Sequence, residues 1–395
     1  MNTNLSVEKK LPRWLIFLLA SSCGLIVANL YYAQPLVGPI SADTGISAGL
    51  SGLIVTMTQL GYAAGLLLLV PLSDLLENKR LVISVLIVSI IGLFTISVSQ
   101  NTVIFFTATI LIGLGSVAAQ ILVPFTAHLA PAQQRGSIVG NVMSGLLLGI
   151  MLARPAASLI TGIWGWKSVF LMSAVIMGIV AILLGCLLPK RKPEKKDNYQ
   201  AILKSMWYLF RVKPVLRRRS LYQAALFGSF SLFWTVVPLY LSQHFHLTQK
   251  EIALFGFAGV TGAIAAPIAG KLADRGWTKR LTGYAFVIAA AAFLITHLMK
   301  SNYTISLVIF CAAAILLDMS VSGNLVLGQQ AIYSLGDEIR GRVNGVFMAV
   351  FFVGGAIGSA LGGWSYAQGN WMASSIIGII LPVLAFGYYL TEKKL

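Results

Sequence analysis

The chain is 395 residues long, 57% hydrophobic and only 10% charged, with a mean hydropathy of +0.83. Soluble domains carry roughly 25% charged residues, so this composition cannot cover a water-exposed core. The formal net charge of +17 is spread loop by loop in the manner of a membrane topology, which excludes a basic folded face for nucleic acid.

Twelve apolar runs follow one another, at about 13–38, 47–72, 81–98, 103–127, 138–163, 168–188, 220–242, 251–272, 281–299, 304–330, 343–366 and 371–391. About 20 residues of helix cross a bilayer's hydrocarbon core, so an all-α integral membrane protein of twelve transmembrane helices is predicted. The first run is no secretion signal, since eleven more follow it and no small-residue cleavage site stands out. Twenty-five of the 29 Lys and Arg fall in the N-terminus, the loops at 73–80, 128–137, 189–219, 271–280 and 336–342, and the C-terminus. Lys167, Lys250 and Lys300 fall on the other side, and Arg154 lies within a run. The positive-inside rule places both termini in the cytoplasm, and the expected location is multi-pass in the cell inner membrane.

The longest polar interruption is a cytoplasmic linker at 190–219, which separates residues 1–189 from 220–395 and leaves six runs on each side. Within it Ile202, Met206, Leu209 and Phe210 recur at helical spacing opposite Lys204 and Arg211. That pattern fits a short helix at the membrane face or a partly ordered tether.

The two halves repeat each other. Asp74, Lys79 and Arg80 recur as Asp274, Lys279 and Arg280, an offset of 200. Arg135, Gly136, Gly140, Met143, Gly149 and Trp166 recur as Arg340, Gly341, Gly345, Met348, Gly354 and Trp371, an offset of 205. Two parallel repeats of six helices are one plan of secondary transporters.

The acidic and basic loop after the second run, repeated after the eighth, resembles the signature loop of the major facilitator superfamily, and the likeness covers essentially the whole chain. NLYYAQPL at 29–36, the Arg154-Pro155 pair and Asp318 are similar to bacterial drug and metabolite exporters of that superfamily. The resemblance implies two pseudo-symmetric six-helix bundles and loop residues that act as conformational latches: Asp74, Lys79, Arg80 and Arg135, then Asp274, Arg275, Arg280 and Arg340. It also implies that the first, fourth, seventh and tenth spans line a central cavity. Three departures stand out. Leu75 and Glu77 occupy the Arg and Gly positions of the first loop, Thr109 stands where drug exporters carry a basic residue, and Arg154-Pro155 replaces the Gly-Pro of the antiporter signature.

Arg154 and Asp318 are the charges that lie well inside runs, and each costs about 2.5–3.5 kcal/mol at a helix centre. Intramembrane charges face a protein interior or aqueous path and find partners there. Three readings of Arg154 stand open: contact with an anionic substrate group, a pair with Asp318 in one conformation, or a latch on carbonyls beside the Pro155 kink. Its counterpart at offset 205 is Ser359, which favours a role outside the shared scaffold. Asp318, near the midplane by count, is the candidate proton carrier; a static, satisfied Asp is the alternative. Arg154 joins it as a candidate coupling residue.

Ser322 and Gln329 share the helical face of Asp318, and Asn324 lies on another. Thr109, Gly113, Ser116 and Gln120 form a stripe in the fourth run. Asn29, Tyr31, Tyr32 and Gln34 in the first cannot all point one way, since neighbours differ by ~100°. Phe233, Trp234 and Tyr240 offer aromatic walls. The candidate substrate contacts are therefore Asn29, Tyr32, Gln34, Gln120, Arg154, Trp234, Ser322, Asn324 and Gln329, a set suited to amphipathic organic molecules.

Cys23, Cys186 and Cys311 share no metal spacing, and His244 with His246 completes no metal site. No Walker loop or catalytic triad is present, so neither an enzyme nor direct ATP use is expected. The expectation is a monomeric, cofactor-free exporter that exchanges a small organic compound for protons, with the proton gradient as energy source. A proton–organic-anion symporter, or a receptor or scaffold that does not transport, are the alternatives.

Overall fold

The computed structural model describes residues 11–193, 198–298 and 303–392. The first ten residues, linker residues 194–197, Lys300 and the last three residues lie outside the described residues. Among the described residues all regular structure is helical. In chain order the helices are α1 (Arg13–Ala28), α2 (Val37–Thr44), α3 (Leu53–Leu68), α4 (Asn78–Val98) and α5 (Thr102–Ser116). Then come α6 (Ala118–Leu129), α7 (Arg135–Trp164), α8 (Trp166–Leu187), α9 (Tyr199–Val212) and α10 (Pro214–His244). The last five are α11 (Gln249–Gly256), α12 (Gly262–Asp274), α13 (Thr278–Ile295), α14 (Tyr303–Tyr333) and α15 (Arg340–Leu390). Ten helical stretches among the described residues are long and apolar enough to cross a membrane by length and composition.

Local chemistry decides where the helices start and stop. Asn101 caps α5, its side-chain oxygen accepting from the Val103 and Ile104 amides at 2.9 and 3.2 Å. Thr248 and Glu251 form a reciprocal capping box at the start of α11, which satisfies backbone donors that helix geometry leaves free. The first apolar run is broken. The Asn29 amide donates back to the Leu25 and Ile26 carbonyls at 3.2 and 3.0 Å, and the chain turns before a short 3-10 segment, Gln34–Leu36, that leads into α2. The fourth and eighth runs divide as well, at Val117 between α5 and α6 and at a 3-10 turn, Phe257–Thr261, between α11 and α12. The last two runs are instead joined in one 51-residue rod, α15, interrupted at Gly369 and Asn370. Asn370 holds φ 53° and ψ −151° there, a backbone state that an L side chain rarely adopts.

Lipid chains offer helices no hydrophobic drive to associate, so small residues that admit close contact do much of the packing. A Cβ on Gly145 would run into the Ala20 carbonyl, and one on Gly149 into the Gly24 carbonyl. The same four-residue spacing joins α10 to α15, where Gly354 meets the Ala224 carbonyl and Gly358 meets that of Gly228.

The basic loops gather at one end of the molecule. There Arg191 donates to Asn78, and a buried ion pair of 3.2 Å joins Arg219 to Glu392. Linker helix α9 buries Ile202, Met206 and Leu209 and exposes Trp207 and Tyr208. It reaches α3 through a Tyr199 hydroxyl bond to the Leu68 carbonyl and α15 through Arg342 to Ser205. Two long seams cross between residues 13–187 and 214–390, and α2 also meets α10, where Gly38 lies against Leu239. α3 and α15 stay together along their lengths, from Gly52 against Gly363, through Tyr62 against Phe352, to Leu66 near Gly345. α7 meets α11 far from the basic end, where Pro155 lies against Gly256 and Gly162 faces Lys250. Toward the basic end Leu148 on α7 is exposed, as are Ile264 and Ile268 on α12, and nothing crowds Gly136 or Gly140.

Candidate functional site

Between these seams lies a cavity of about 230 Å³. Its lining runs from Arg154 and Asp318 at the closed end to Met143, Gln329 and Met348 toward the basic end. Most of the wall is apolar, with Val27, Ile150, Phe227, Phe230, Phe351 and Phe352 among its residues. A few converging polar groups in an apolar cleft are the usual form of a small-molecule site.

The closed end is built around two buried charges. Arg154 is 2% exposed and Asp318 is 4% exposed. Arg154 Nε donates to Gln34 Oε1 at 2.7 Å. The guanidinium carbon lies 4.3 Å from the Trp234 ring centroid, 4.9 Å from Phe230 and 5.3 Å from Tyr31. Each such cation–π contact contributes about 0.5–2 kcal/mol, most where water is excluded. Trp234 Nε1 donates to Asp318 Oδ2 at 2.9 Å, so one indole touches both charges. A Cβ on Gly259 would sit 3.2 Å from Arg154 Nη1 and 3.3 Å from Asp318 Oδ1. The absence of a side chain there lets the opposite charges face each other, and no direct salt bridge joins them. Arg154 Nη2 and Gln34 Nε2 are buried donors without a protein acceptor.

The sequence-predicted residues divide into several groups. Arg154, Asp318, Gln120, Ser322 and Gln329 all line the cavity. Gln34 and Trp234 stand directly behind it, holding the two charges. Asn29 does not line it; its side chain closes α1 and accepts from Ser173. Tyr32 is half-buried among the helices of the first half, while its neighbour Tyr31 faces Arg154. Asn324 is turned away and donates to Gln223 Oε1 at 2.8 Å. Thr109 and Ser116 bond their own helix carbonyls, and Gly113 packs on the α3 backbone. Phe233 meets Phe293 and Trp371 edge to face, and Tyr240 stacks with His244, both away from the cavity.

The latch residues sit at the basic end. Asp74 and Arg135 are exposed, and Lys79 is half-buried. Arg80 pairs with Glu77 at 3.0 Å. Asp274 accepts a hydrogen bond from Gln330, and Arg275 is exposed. Arg280 lies over Trp277, and Arg340 over Tyr333.

Two features escaped the sequence reading. Gln223, Phe227 and Phe230 line the cavity and form one stripe of α10 with the expected Trp234, at i, i+4, i+7 and i+11; that spacing was the available signal. Gln59 donates to Ser231 at 2.6 Å and accepts from Ser359 at 3.4 Å, closing the α3–α15 seam. Nothing in either half alone marks that contact.

Comparison with known proteins agrees with this architecture. A family model, Major Facilitator Superfamily, matches residues 16–334. The chain is 37% identical to the uncharacterized transporter YgaY of Escherichia coli O157:H7, over 94% of this chain and 93% of that protein. It is 30% identical to the probable transporter SCO4007 of Streptomyces coelicolor, over 95% and 86% of the two chains. Among solved structures, a bacterial homolog of the human lysosomal transporter Spinster, inward-facing and unoccupied, superposes with a TM-score of 0.77 at 15% identity, covering 95% of each chain. The nucleoside transporter NupG gives 0.74 at 15% identity, over 96% and 100%; both likenesses concern the fold.

Proposed function

The chain belongs to the Major Facilitator Superfamily, and on that premise we propose that it is a proton-coupled secondary transporter of a small organic compound, working by alternating access. It is a membrane transporter and not an enzyme. Counting α1 with its continuation and dividing α15 at Asn370 brings ten long helices to twelve, in bundles 1–189 and 220–395 joined by the linker 190–219. The basic end is read as the cytoplasmic one on the positive-inside rule, with both termini on that side and the cell inner membrane as the proposed location. The cavity then opens inward, and the exposed latch loops fit a role in holding the opposite, outward-open state.

The single observation that carries the coupling is the placement of Asp318 and Arg154 against one glycine at the closed end of the cavity. Asp318 carries the proton. A carboxylate beside a guanidinium in one conformation and beside water in the other changes its proton affinity between them, which links proton and substrate movement. Export in exchange for protons is the mode that the resemblance to drug and metabolite exporters implies. Co-transport of an organic anion with a proton is the second reading, favoured by the unpaired donor on Arg154.

Proteoliposomes with an imposed pH gradient and an internal pH dye, challenged with a compound panel, test this. Substrate-dependent proton flux is expected, its sign separating exchange from co-transport. Asp318→Asn is expected to lose that flux while keeping substrate counterflow. Undiminished proton flux in this variant would remove Asp318 from the mechanism.

A further inference from the structure

We infer that the ligand of this cavity is an amphipathic organic acid, its carboxylate taken by Arg154 and its apolar body by the phenylalanine wall. This rests on the reading of the cavity as the substrate site and names the chemistry of what enters it.

The inference starts from an imbalance of donors and acceptors. The closed end holds the guanidinium of Arg154, the amide of Gln34 and the indole N–H of Trp234. Asp318 accepts the indole proton, and Gln34 Oε1 accepts from Arg154 Nε. That leaves Arg154 Nη2 and Gln34 Nε2 buried without acceptors. A buried donor left unpaired is costly in any folded protein, and of these two groups it is Arg154 that borders the cavity. A group that brings oxygen lone pairs corrects the deficit; an ammonium group carries no acceptor and leaves both donors unpaired. The guanidinium edge presents parallel N–H groups matched to a carboxylate.

The walls give the remainder of the ligand. Phe227 stacks on Phe230 with centroids 5.3 Å apart, and Phe351 on Phe352 at 4.7 Å. Tyr31, Phe230 and Trp234 already surround the guanidinium, so the three-ring cage is filled by the protein's own cation and is closed to a cationic ligand. A body of one aromatic ring or a short alkyl chain meets Phe227, Ile150, Val321 and Phe351 along the cavity.

The test uses purified full-length protein in detergent, without a gradient, so that binding is read apart from coupling. 3-Phenylpropionate, its neutral amide and 3-phenylpropylamine share one body and differ in the head group; thermal shift and calorimetry read their binding. The acid is expected to bind at least tenfold more tightly than the amide, and the amine more weakly still. Arg154→Lys, which keeps the charge and loses the fork, is expected to weaken the acid about tenfold. Gln34→Glu supplies an internal carboxylate to Arg154. It is expected to raise the melting temperature of the ligand-free protein and to abolish acid binding, which also shows that the variant folds. Equal binding of amide and acid, or acid binding untouched in Arg154→Lys and Gln34→Glu, overturns the inference and leaves the transporter reading standing. If neither these three compounds nor a panel of other neutral, anionic and cationic organic compounds binds or is transported, both fall.

Discussion

Arg154 and Ser359 occupy equivalent places in α7 and α15, 205 residues apart, yet the two sites are opposites. Ser359 is fully buried in the α3–α15 seam, donating to the Gly355 carbonyl at 2.8 Å and approaching Gln59 and Ser231. Gly52 packs directly on its backbone. Arg154 sits beside the cavity among aromatic rings with donors to spare. A hydroxyl satisfies itself on its own helix and tolerates a dry seam; a guanidinium has too many donors for that and needs room and acceptors. The contrast teaches that the backbone plan was duplicated while the charge was confined to one copy, on the side where a cavity receives it.

Exchanging the two residues breaks the comparison most directly. Ser359→Arg would bury an unpaired cation in the closed seam, at a cost of about 3–5 kcal/mol. Loss of folded protein from the membrane fraction, or a collapsed melting temperature, is the expected readout. Arg154→Ser is expected to reach the membrane fraction folded, with a melting temperature below the parent's because it gives up the Gln34 bond and three aromatic contacts. Its transport or ligand affinity should fall about tenfold to hundredfold, the equivalent of one charged hydrogen-bonding group at about 1.5–3 kcal/mol. If that variant instead fails to fold, Arg154 is a scaffold residue after all. Gln59→Leu sharpens the picture of the seam. Losing the bonds to Ser231 and Ser359 should cost about 1 kcal/mol, seen as a lower melting temperature and faster labelling of a cysteine placed near Gly52 from the side opposite the basic end.

The smallest effect is expected outside both sites, where Lys167 reaches Asp43 at 2.9 Å. The Lys167 hydrogen bond holds the Asp43 carboxyl below its ordinary range. Because the folded value is depressed, this contribution is present above the unfolded value near 4 and is lost as pH falls through the folded one. The pair is exposed, so Lys167→Met should cost less than about 1 kcal/mol at neutral pH. The difference between variant and parent should vanish in acid.

The apolar runs were legible because every span must satisfy its own backbone in lipid, and ten long helices stand where runs were expected. Arg154 and Asp318 were legible for the converse reason, since charge in that setting is too costly to be incidental. The orientation of individual side chains was not. A helical wheel presumes an unbroken helix, and the first run stops at Asn29, so Tyr31 and Gln34 reach Arg154 while Asn29 and Tyr32 turn to Ser173 and the helix core. Of the Thr109–Gln120 stripe only Gln120 reaches the cavity, because Thr109 and Ser116 bond their own helix and Gly113 packs on α3. The Gln223–Asn324 bond and the Gln59 seam depend on which helices meet, which no single periodicity encodes.

The place of Pro155 along α7 has a mechanical consequence. About 30 Å of helix runs from it toward the basic end and about 14 Å the other way, at 1.5 Å per residue. With Pro155 braced on Gly256 and α1 locked to α7 by main-chain contact at Gly145 and Gly149, the rod behaves as a lever with unequal arms. A rigid tilt about that contact would move the tip of the long arm about twice as far as that of the short one.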